Sequence, residues 1–393
     1  MLLIEMQCKD WEHNRVNAGI IELCSRAFPK EKIKLYAEEA HIRELKILTA
    51  KQDIEISAYE IDFADWRFKN VKYSDKYVEL LTDIIERETE EKKIILLSCN
   101  KGIIKAVACV STKYSERNFY VILHAALEEA VHQYHPSIRK RVRTSLLKMK
   151  NALFGRKTEY RREPSIKKYI NECTSCNCYF ILYAPKYREY LEEKINHEIL
   201  GRFIFLHHPL YESSDYSVSN NDSLTVGIYG QAVNQNAYDI VNIYNKKYDN
   251  GKVMFRVMAK QDNPILCLKN VTRMFERDYV SNRELEQERK RLDYILLPYD
   301  HNQYKVTASG ILCDALSEEI PVLMLDSSLL EFYNTYAIGE LRYDVDSMAR
   351  TIADIAADTV KRVSVMEQYR KAENRLKKQV LQDNIKTFRE TIG

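Results

Sequence analysis

One segment of the chain combines residue types that bind phosphate groups and ribose. Ser309 and Gly310 stand where a helix is predicted to begin, and Asp314 follows about one turn later. A helix N-terminus presents unpaired N–H groups and a partial positive charge, which suit a diphosphate. Gly310 lets the backbone approach a ligand closely, and an ionised Asp314 has two oxygens that could accept both ribose hydroxyls. The segment therefore predicts a nucleotide site, in which Ser309 and Tyr304 are candidates for hydrogen bonds to phosphate or sugar.

The simpler interpretation is that Ser309 only caps a helix and that Asp314 is an ordinary residue on the surface of that helix. The residues on either side of the segment favour the nucleotide site. Pro298 ends a strand-like run before it, and Pro321-Val322 opens another strand-like run after it. The segment thus has a strand, a loop, a helix start and a second strand in a fixed order.

The elements that must position this segment alternate between strand-like and helix-like stretches along the whole chain. Short apolar runs alternate with stretches of helical spacing, and this rhythm predicts parallel, doubly wound sheets of the α/β class. The predicted strands are Leu2–Met6, Ile33–Tyr36, Ile54–Tyr59, Ile94–Leu97, Tyr120–Leu123, Leu224–Tyr229, Val253–Met258, Tyr294–Leu297 and Val322–Leu325.

A polar stretch interrupts the rhythm in the middle of the chain and divides it into two predicted domains. A length of 393 residues also predicts two domains. We expect an N-terminal acceptor-side domain over 1–205, a linker over 206–223, and a C-terminal nucleotide-sugar domain over 224–362. Residues 363–393 are predicted to form a helix that packs back on the N-terminal domain.

The order strand, proline stop, loop, Ser-Gly, acidic helix and Pro-Val strand resembles the donor half of bacterial glycosyltransferases of the B-type fold. The resemblance is to the large retaining group that builds polysaccharides, the family 4-like enzymes. It covers about 290–325 closely and 224–360 in outline, while the N-terminal half matches in architecture alone. It implies two Rossmann-like domains facing a cleft, with the donor ribose held by Asp314.

The chain departs from that family just after the strand that opens the C-terminal domain. Gly227 and Gly230 form a candidate phosphate-binding turn, and an ordinary turn is the alternative. The family commonly places Arg and then Lys after this turn to neutralise the diphosphate, whereas this chain has Gln231 and Asn236. Lys260, just past a predicted strand, is the first candidate substitute.

The N-terminal half supplies candidates for the catalytic and acceptor side. His124 follows a predicted strand, at the end where ligands bind in open α/β sheets, and the resemblance implies contact with the donor sugar. A structural histidine is the alternative. His13 and Asn17 follow the first strand and are candidates for binding an acceptor sugar.

The remaining composition argues against several other classes. A net charge of +3 is too small to indicate nucleic-acid binding. We predict no signal peptide and no membrane-spanning stretch. The nine cysteines do not form a disulfide framework and fit a reducing cytosol. Cys173, Cys176 and Cys178 have metal-like spacing but lack a second ligand pair, so we expect no metal and no cofactor other than the nucleotide sugar as donor substrate.

Residues 139–168 are rich in Lys and Arg, with apolar residues interleaved. Such a basic amphipathic stretch is typical of contact with a membrane surface, which a lipid-linked saccharide acceptor would explain. A solvated basic helix is the alternative, and nucleic-acid binding ranks third because no matching motif accompanies it. We therefore expect a cytoplasmic protein, peripheral at the inner face of the membrane.

The expected function is transfer of a sugar, of hexosyl type, from a nucleotide diphosphate sugar to a saccharide acceptor in surface polysaccharide or glycan synthesis. The resemblance implies retention at the anomeric carbon and no metal. Two alternatives stay open: a sugar-nucleotide epimerase of the same fold, and a non-catalytic sugar-nucleotide-binding subunit, for which the missing Arg and Lys argue. No residue stands out in the sequence as a general base.

Overall fold

The structure is a computed structural model. It describes residues 1–63, 74–123, 166–173, 177–183, 187–192, 197–211, 222–277, 280–299, 308–327, 330 and 333–393. His124, Tyr304 and most of the basic segment 139–168 lie outside these ranges, as does most of the predicted linker. The structural statements that follow concern the described residues.

Seven strands form the first sheet, in the order β3-β2-β1-β4-β5-β6-β7. Its central strands are continuous apolar runs, as expected for parallel strands that are buried on both faces. The recorded pairs are parallel, and Leu3 lies opposite Ile95 in the centre of the sheet. The strands are β1 Leu2–Ile4, β2 Lys34–Ala37, β3 Ser57–Glu60, β4 Lys93–Leu96, β5 Asn118–Ile122, β6 Cys178–Tyr183 and β7 Phe203–Leu206.

Helices connect these strands, as the βαβ rhythm predicts. Asn100 caps the helix that follows β4 by accepting a hydrogen bond from the backbone N–H of Ile103 at 3.0 Å, which is the usual role of Asn at a helix start. The helices are α1 Asn14–Ala27, α2 Glu39–Ala50, α3 Ser74–Arg87, α4 Lys101–Lys113, α5 Ile166–Cys173, α6 Tyr187–Glu192 and α7 His197–Leu200.

Six strands form the second sheet, in the order β10-β9-β8-β11-β12-β13. All its pairs are parallel. The core of this part is built on the inner strands, where Val226, Phe255 and Leu296 are fully buried. The strands are β8 Leu224–Tyr229, β9 Val253–Met258, β10 Val271–Arg273, β11 Tyr294–Leu297, β12 Val322–Leu325 and β13 Gly339–Arg342.

The helices of the second half are α8 Gln235–Ile243, α9 Asn282–Arg289, α10 Gly310–Glu318, α11 Val345–Ala357 and α12 Thr359–Ile392. The α-helix Gln235–Ile243 is followed directly by a π-helical turn over Tyr244–Tyr248. None of the described helices is both long enough and apolar enough to cross a bilayer.

Each sheet has one point at which the strand order reverses direction. In the first sheet this point lies between β1 and β4, and in the second between β8 and β11. Ligands of open α/β sheets bind outside the carboxyl ends of the strands at such a point. The residues after Tyr229 and after Leu297 are therefore the place to look for a ligand in the second sheet.

By compactness the described chain groups into two units. The first unit is Met1–Gln7, Asp62–Leu182 and Lys186–Ile204; the second is Cys8–Ile61, Tyr183–Pro185 and Phe205–Gly393. The second unit thus contains the whole second sheet together with α1 and α2. This grouping differs from a simple division at residue 205, and the predicted domain boundaries stay a prediction.

Candidate nucleotide-sugar site

The N-terminus of α10 is held in place by its own cap. Ser309 Oγ accepts a hydrogen bond from Leu312 N at 3.2 Å and lies 2.6 Å from the Tyr299 hydroxyl, and both side chains are buried. Gly310, the first helical residue, is exposed, and a Cβ added there would meet no atom within 4 Å. The helix start is therefore held by hydrogen bonds and has open space beside it. Ser309 has the capping role, and its contact with a donor remains a prediction.

The turn after β8 requires a glycine. Gly230 has φ +56°, a left-handed conformation that residues with a Cβ rarely adopt. The start of α8 is tied to the end of β11, since its cap residue Asn234 and Asn236 in its first turn donate from Nδ2 to the Pro298 carbonyl at 3.0 and 3.2 Å. Asn236, which stands where the resembled family has a cation, thus joins the carboxyl ends of β8 and β11.

A pocket of about 210 Å³ lies within the second unit, beside the start of α10. Three of the residues predicted from the sequence line it: His13, Gly310 and Asp314. The pocket joins residues at the start of α1 with the 208–211 segment and with α9 and α10. Its lining is Trp11, His13, Asn14, Arg15, Val16, His208, Pro209, Tyr211, Arg289, Gly310, Cys313, Asp314 and Ser317.

Two arginines of the pocket pair with Asp314 and with the buried Glu318. Arg289 is buried, donates from Nε to both Glu318 oxygens at 3.0 and 2.9 Å, and contacts Asp314 Oδ2 from Nη1 at 3.2 Å. Arg15 Nη1 lies 2.5 Å from Glu318 Oε1 and 3.6 Å from Asp314 Oδ1, while its Nη2 lies 3.4 Å from Glu286. Two guanidinium groups therefore share three carboxylates, and Asp314 faces both.

Burial and these arginines shift the two carboxyl groups of α10 in opposite directions. Burial raises the pKa of Asp314, and Arg289 and Arg15 only partly offset it. Burial also acts to raise the pKa of Glu318, but the charge and hydrogen bonds of Arg289 outweigh it and lower that pKa. The arginines thus favour the ionised form of Glu318, whereas burial disfavours the ionised form of Asp314.

His208 is a second imidazole of the pocket. It is buried, its Nδ1 lies 2.9 Å from the Pro209 carbonyl oxygen, and burial lowers its pKa to about 4. The ring is therefore neutral at physiological pH. The side of the pocket at Pro209 is closely packed against α1, since a Cβ added at Gly19 would lie 2.8 Å from Pro209 Cβ.

The other predicted residues lie elsewhere or outside the described ranges. Asn17 lies within α1, is fully buried and pairs with His41 Nε2 at 3.0 Å, so its side chain does not line the pocket. Lys260 is exposed just past β9 and also does not line it. His124 and Tyr304 are outside the part of the chain that the structure describes. The proposed roles of all four stay predictions.

Arg15, Arg289 and His208 are pocket residues that we did not single out from the sequence. Arg15 lies between the candidates His13 and Asn17, so the sequence already placed it beside them. Arg289 lies on α9, and no local pattern distinguishes it from its charged neighbours. In the described ranges no three or more His, Cys, Asp or Glu side chains are grouped so as to hold a metal ion; Cys176 is outside those ranges.

The chain is similar over its length to solved structures of glycosyltransferases. The Anabaena protein HepE in complex with UDP and glucose matches with a TM-score of 0.59 at 11% identity, covering 100% of this chain and 98% of that one. A mutant of S. aureus TarM in complex with Fondaparinux, alpha-GlcNAc-glycerol and UDP matches with a TM-score of 0.58 at 10% identity, covering 98% of both chains.

A Listeria monocytogenes structure bearing the name UDP-N-acetylglucosamine 2-epimerase matches with a TM-score of 0.55 at 8% identity, covering 95% of this chain and 94% of that one. No protein-family profile and no curated protein matches the sequence. At these identities the likeness establishes the fold. The chain has the glycosyltransferase-B fold, which confirms the α/β class and the paired Rossmann-like sheets predicted from the sequence.

Proposed function

We propose that this protein is a glycosyltransferase that moves a sugar from a nucleotide diphosphate sugar to a saccharide acceptor. The observation that carries the proposal is the pocket at the start of α10, which is lined by Gly310 and Asp314. This helix start lies beside the turn after β8, since a Cβ added at Gly230 would lie 3.1 Å from Ile311. The complexes of HepE and TarM contain UDP in proteins of the same fold. In this reading the ribose lies against Asp314 and the diphosphate at the helix start.

The reaction needs groups that stabilise the leaving diphosphate. The anomeric C–O bond to the diphosphate breaks, the acceptor oxygen forms the new glycosidic bond, and the acceptor proton leaves with the diphosphate or a base. The N–H groups at the start of α10 offer fixed partial positive charge to the phosphates. Lys260 is the proposed cation in place of the residues missing after Gly230, since Arg289 and Arg15 are both held by Glu318.

A binding experiment tests the site directly. Isothermal titration with a panel of nucleoside diphosphates should give binding by at least one of them. Asp314→Asn should weaken it by about 10-fold or more, because a hydrogen bond to an ionised group contributes roughly 1.5–3 kcal/mol. Asp83→Asn, an exposed aspartate on α3, is the matched control and should leave binding unchanged.

The contact between Asp314 and the ribose is tested by a second comparison in the same titration. Wild type should prefer the ribonucleotide over its 2′-deoxy form, and Asp314→Asn should lose that preference. If both proteins discriminate equally, Asp314 does not hold the ribose. If no nucleoside diphosphate binds the wild-type chain, the proposed function itself fails.

Turnover separates transfer from the two other functions that the fold admits. The protein is incubated with nucleotide sugars, with and without glycan acceptors, and free nucleoside diphosphate is measured. Acceptor-dependent release supports transfer. Epimerised nucleotide sugar would instead support the epimerase, a function named for the similar Listeria monocytogenes structure. Donor binding without turnover across the panel would identify a non-catalytic binding subunit.

We further propose the hexosyl type, retention at the anomeric carbon, independence of metal, and a part in surface polysaccharide or glycan synthesis, as the sequence resemblance implies. His124 is the proposed contact to the donor sugar, with His13 and Asn17 on the acceptor side. Anomeric configuration of the product, read by NMR, tests retention. Unchanged turnover after chelator treatment would agree with metal independence.

The proposed location is the cytoplasm, at the inner face of the membrane, with a lipid-linked saccharide as one acceptor class. The support is the basic and apolar composition of residues 139–168. This segment should give salt-sensitive binding to anionic vesicles. Replacing its lysines and arginines by glutamine should abolish that binding; unchanged binding would contradict the membrane role.

A further inference from the structure

His208 lines the nucleotide pocket with one of its two ring nitrogens already engaged. Its Nδ1 lies 2.9 Å from the Pro209 carbonyl oxygen. A carbonyl oxygen can only accept a hydrogen bond, so Nδ1 carries the ring proton. Burial lowers the pKa of the ring to about 4, which keeps the ring neutral at physiological pH. Nε2 therefore carries no proton, and its lone pair makes it a hydrogen-bond acceptor.

This acceptor is not used within the described part of the chain. Among the described residues, the Pro209 carbonyl is the hydrogen-bond partner of the ring, and it engages Nδ1. Nε2 is not one of the fully enclosed polar atoms that lack a partner, and the side chain keeps a small exposed fraction of 6%. Because the ring lines the pocket, a ligand in the pocket can reach this nitrogen.

The position of the ring is fixed by its surroundings. The Tyr183 ring packs against it with 5.0 Å between the ring centroids, and the bond to the Pro209 carbonyl sets its rotation. Strand β7 ends at Leu206, so His208 follows the carboxyl end of a strand, where ligands of open α/β sheets bind. An acceptor held in place before the ligand arrives costs little entropy to use.

The chemistry of Nε2 indicates which ligand group it takes. An ionised phosphate offers oxygens that accept, and it has no hydrogen to donate. A sugar hydroxyl does donate, and a sugar joined to a diphosphate at Gly310 must lie close to the start of α10. The same pocket has an aromatic wall, since Trp11 lines it with 46% of its surface exposed. Aromatic walls with a few placed polar groups are typical of sites for small organic ligands.

We infer that His208 is a specificity-determining residue, whose Nε2 accepts a hydrogen bond from one hydroxyl of the sugar carried by the nucleotide. The inference rests on the proposed glycosyltransferase function and adds to it a residue that reads the transferred sugar. A sugar that lacks this hydroxyl leaves the buried Nε2 unpaired, which lowers its affinity.

The test is isothermal titration of the full chain with UDP, GDP and ADP and with the glucose and galactose conjugates of each. His208→Phe should weaken the binding of at least one conjugate roughly 2- to 10-fold, the range for one neutral hydrogen bond, and should leave the bare diphosphate unchanged. His208→Gln, whose side-chain oxygen can accept in place of Nε2, should bind that conjugate more tightly than His208→Phe does. His207→Phe is the matched control, because the neighbouring imidazole does not line the pocket.

Deoxy analogues of the bound sugar test the same contact in the unaltered protein. Among the 2-, 3-, 4- and 6-deoxy forms of that conjugate, one should bind the wild type more weakly by the same factor. His208→Phe should bind this analogue as tightly as the parent conjugate, which a merely structural role of the ring does not predict.

The possible failures of the inference and of the proposed function differ in this experiment. If a diphosphate binds but His208→Phe weakens it as much as its conjugates, the ring reads the nucleotide and the inference is overturned. Unchanged binding of every conjugate, or wild-type binding of all four deoxy forms as tight as that of the parent, overturns it as well. If none of the three diphosphates binds the wild type, the proposed function fails and the inference falls with it.

Discussion

At the scale of single residues, the structure contains two kinds of buried ionisable group. Arg289 and Glu318 are buried together and meet through several hydrogen bonds. Glu373, on α12, is fully buried, and among the described residues neither of its oxygens has a hydrogen-bond partner. Removing Arg289 from its pair with Glu318 should therefore lower stability, whereas removing the carboxyl group of Glu373 should raise it.

Arg289→Met should destabilise the protein by about 3–5 kcal/mol, because it leaves Glu318 buried with Arg15 as its remaining partner in this network. The double variant Arg289→Met/Glu318→Leu should recover most of that loss, since no buried charge is then uncompensated. Urea unfolding of the two variants measures the difference. Equal losses in the single and the double variant would contradict this account.

Glu373→Leu should stabilise the protein by roughly 1–3 kcal/mol, the usual cost of a buried polar group without a partner. Burial raises the pKa of Glu373 well above its ordinary value, and the nearby Glu319 adds to the shift. The unfolded chain releases this proton at a lower pH than the folded one. The wild type therefore loses stability from this group as pH rises above about 4.5, towards the folded pKa.

The gain from Glu373→Leu should accordingly be larger at pH 8 than at pH 4.5. Thermal unfolding at both pH values is the measurement. Glu367→Leu, at an exposed position on the same helix, is the control and should change stability little at either pH. A gain that is independent of pH would mean that Glu373 is not protonated in the folded protein.

At the scale of elements, the end of α10 carries a residue that its backbone does not favour. Glu319 ends the helix with φ 56°, where glycine is usual. Its carboxylate accepts from Lys377 Nζ at 2.6 Å and from Asn374 Nδ2 at 3.0 Å on α12. The side chain thus ties two helices together at a position where the backbone is strained.

Glu319→Gly and Glu319→Ala both remove this tie, but only the glycine variant relieves the backbone. We expect Glu319→Gly to be more stable than Glu319→Ala by about 1 kcal/mol. Chemical unfolding of the pair gives the difference without any assumption about the lost ion pair. Equal stabilities would show that the left-handed conformation costs nothing here.

The sequence predicted the inner strands well and the outer ones poorly. Leu224–Tyr229 and Val253–Met258 were predicted with their observed bounds, because each is an apolar run ended by a turn or a polar loop. The edge strand Gly339–Arg342 was missed, since its partly exposed Glu340 and Arg342 resemble a loop. Cys178–Tyr183 was also missed, since this apolar run is short and follows directly on a polar, cysteine-rich stretch.

At the scale of the whole molecule, the candidate site could be predicted only in part. Gly310 and Asp314 follow from a local motif, and His13 from its place after the first strand. Arg15 and Arg289 meet Asp314 through contacts of residues far apart in the chain, and spacing along a sequence does not report such contacts. Conversely, the motif alone would not show that Asp314 already faces two guanidinium groups.

The last helix and the first helix are in contact within the second unit. The Phe388 and Phe28 rings lie 6.4 Å apart, and Arg389 donates to the carbonyls of Ala27 and Arg26 at 3.0 Å each. Phe388→Ala should cost about 3–5 kcal/mol and should raise hydrogen exchange in α1. Phe388→Leu, which keeps most of the volume, should cost less; unchanged exchange in α1 would contradict the coupling.

This contact also bears on how the chain acquires its structure during synthesis. Residues near 28 leave the ribosome long before residues near 388, at about 5–20 residues per second. The apolar surface of α1 that Phe388 covers therefore stays open for tens of seconds, and closing it requires one of the longest-range contacts in the chain. Translation that stalls before α12 should leave an aggregation-prone nascent chain, and chaperone dependence should fall once Arg389 has emerged.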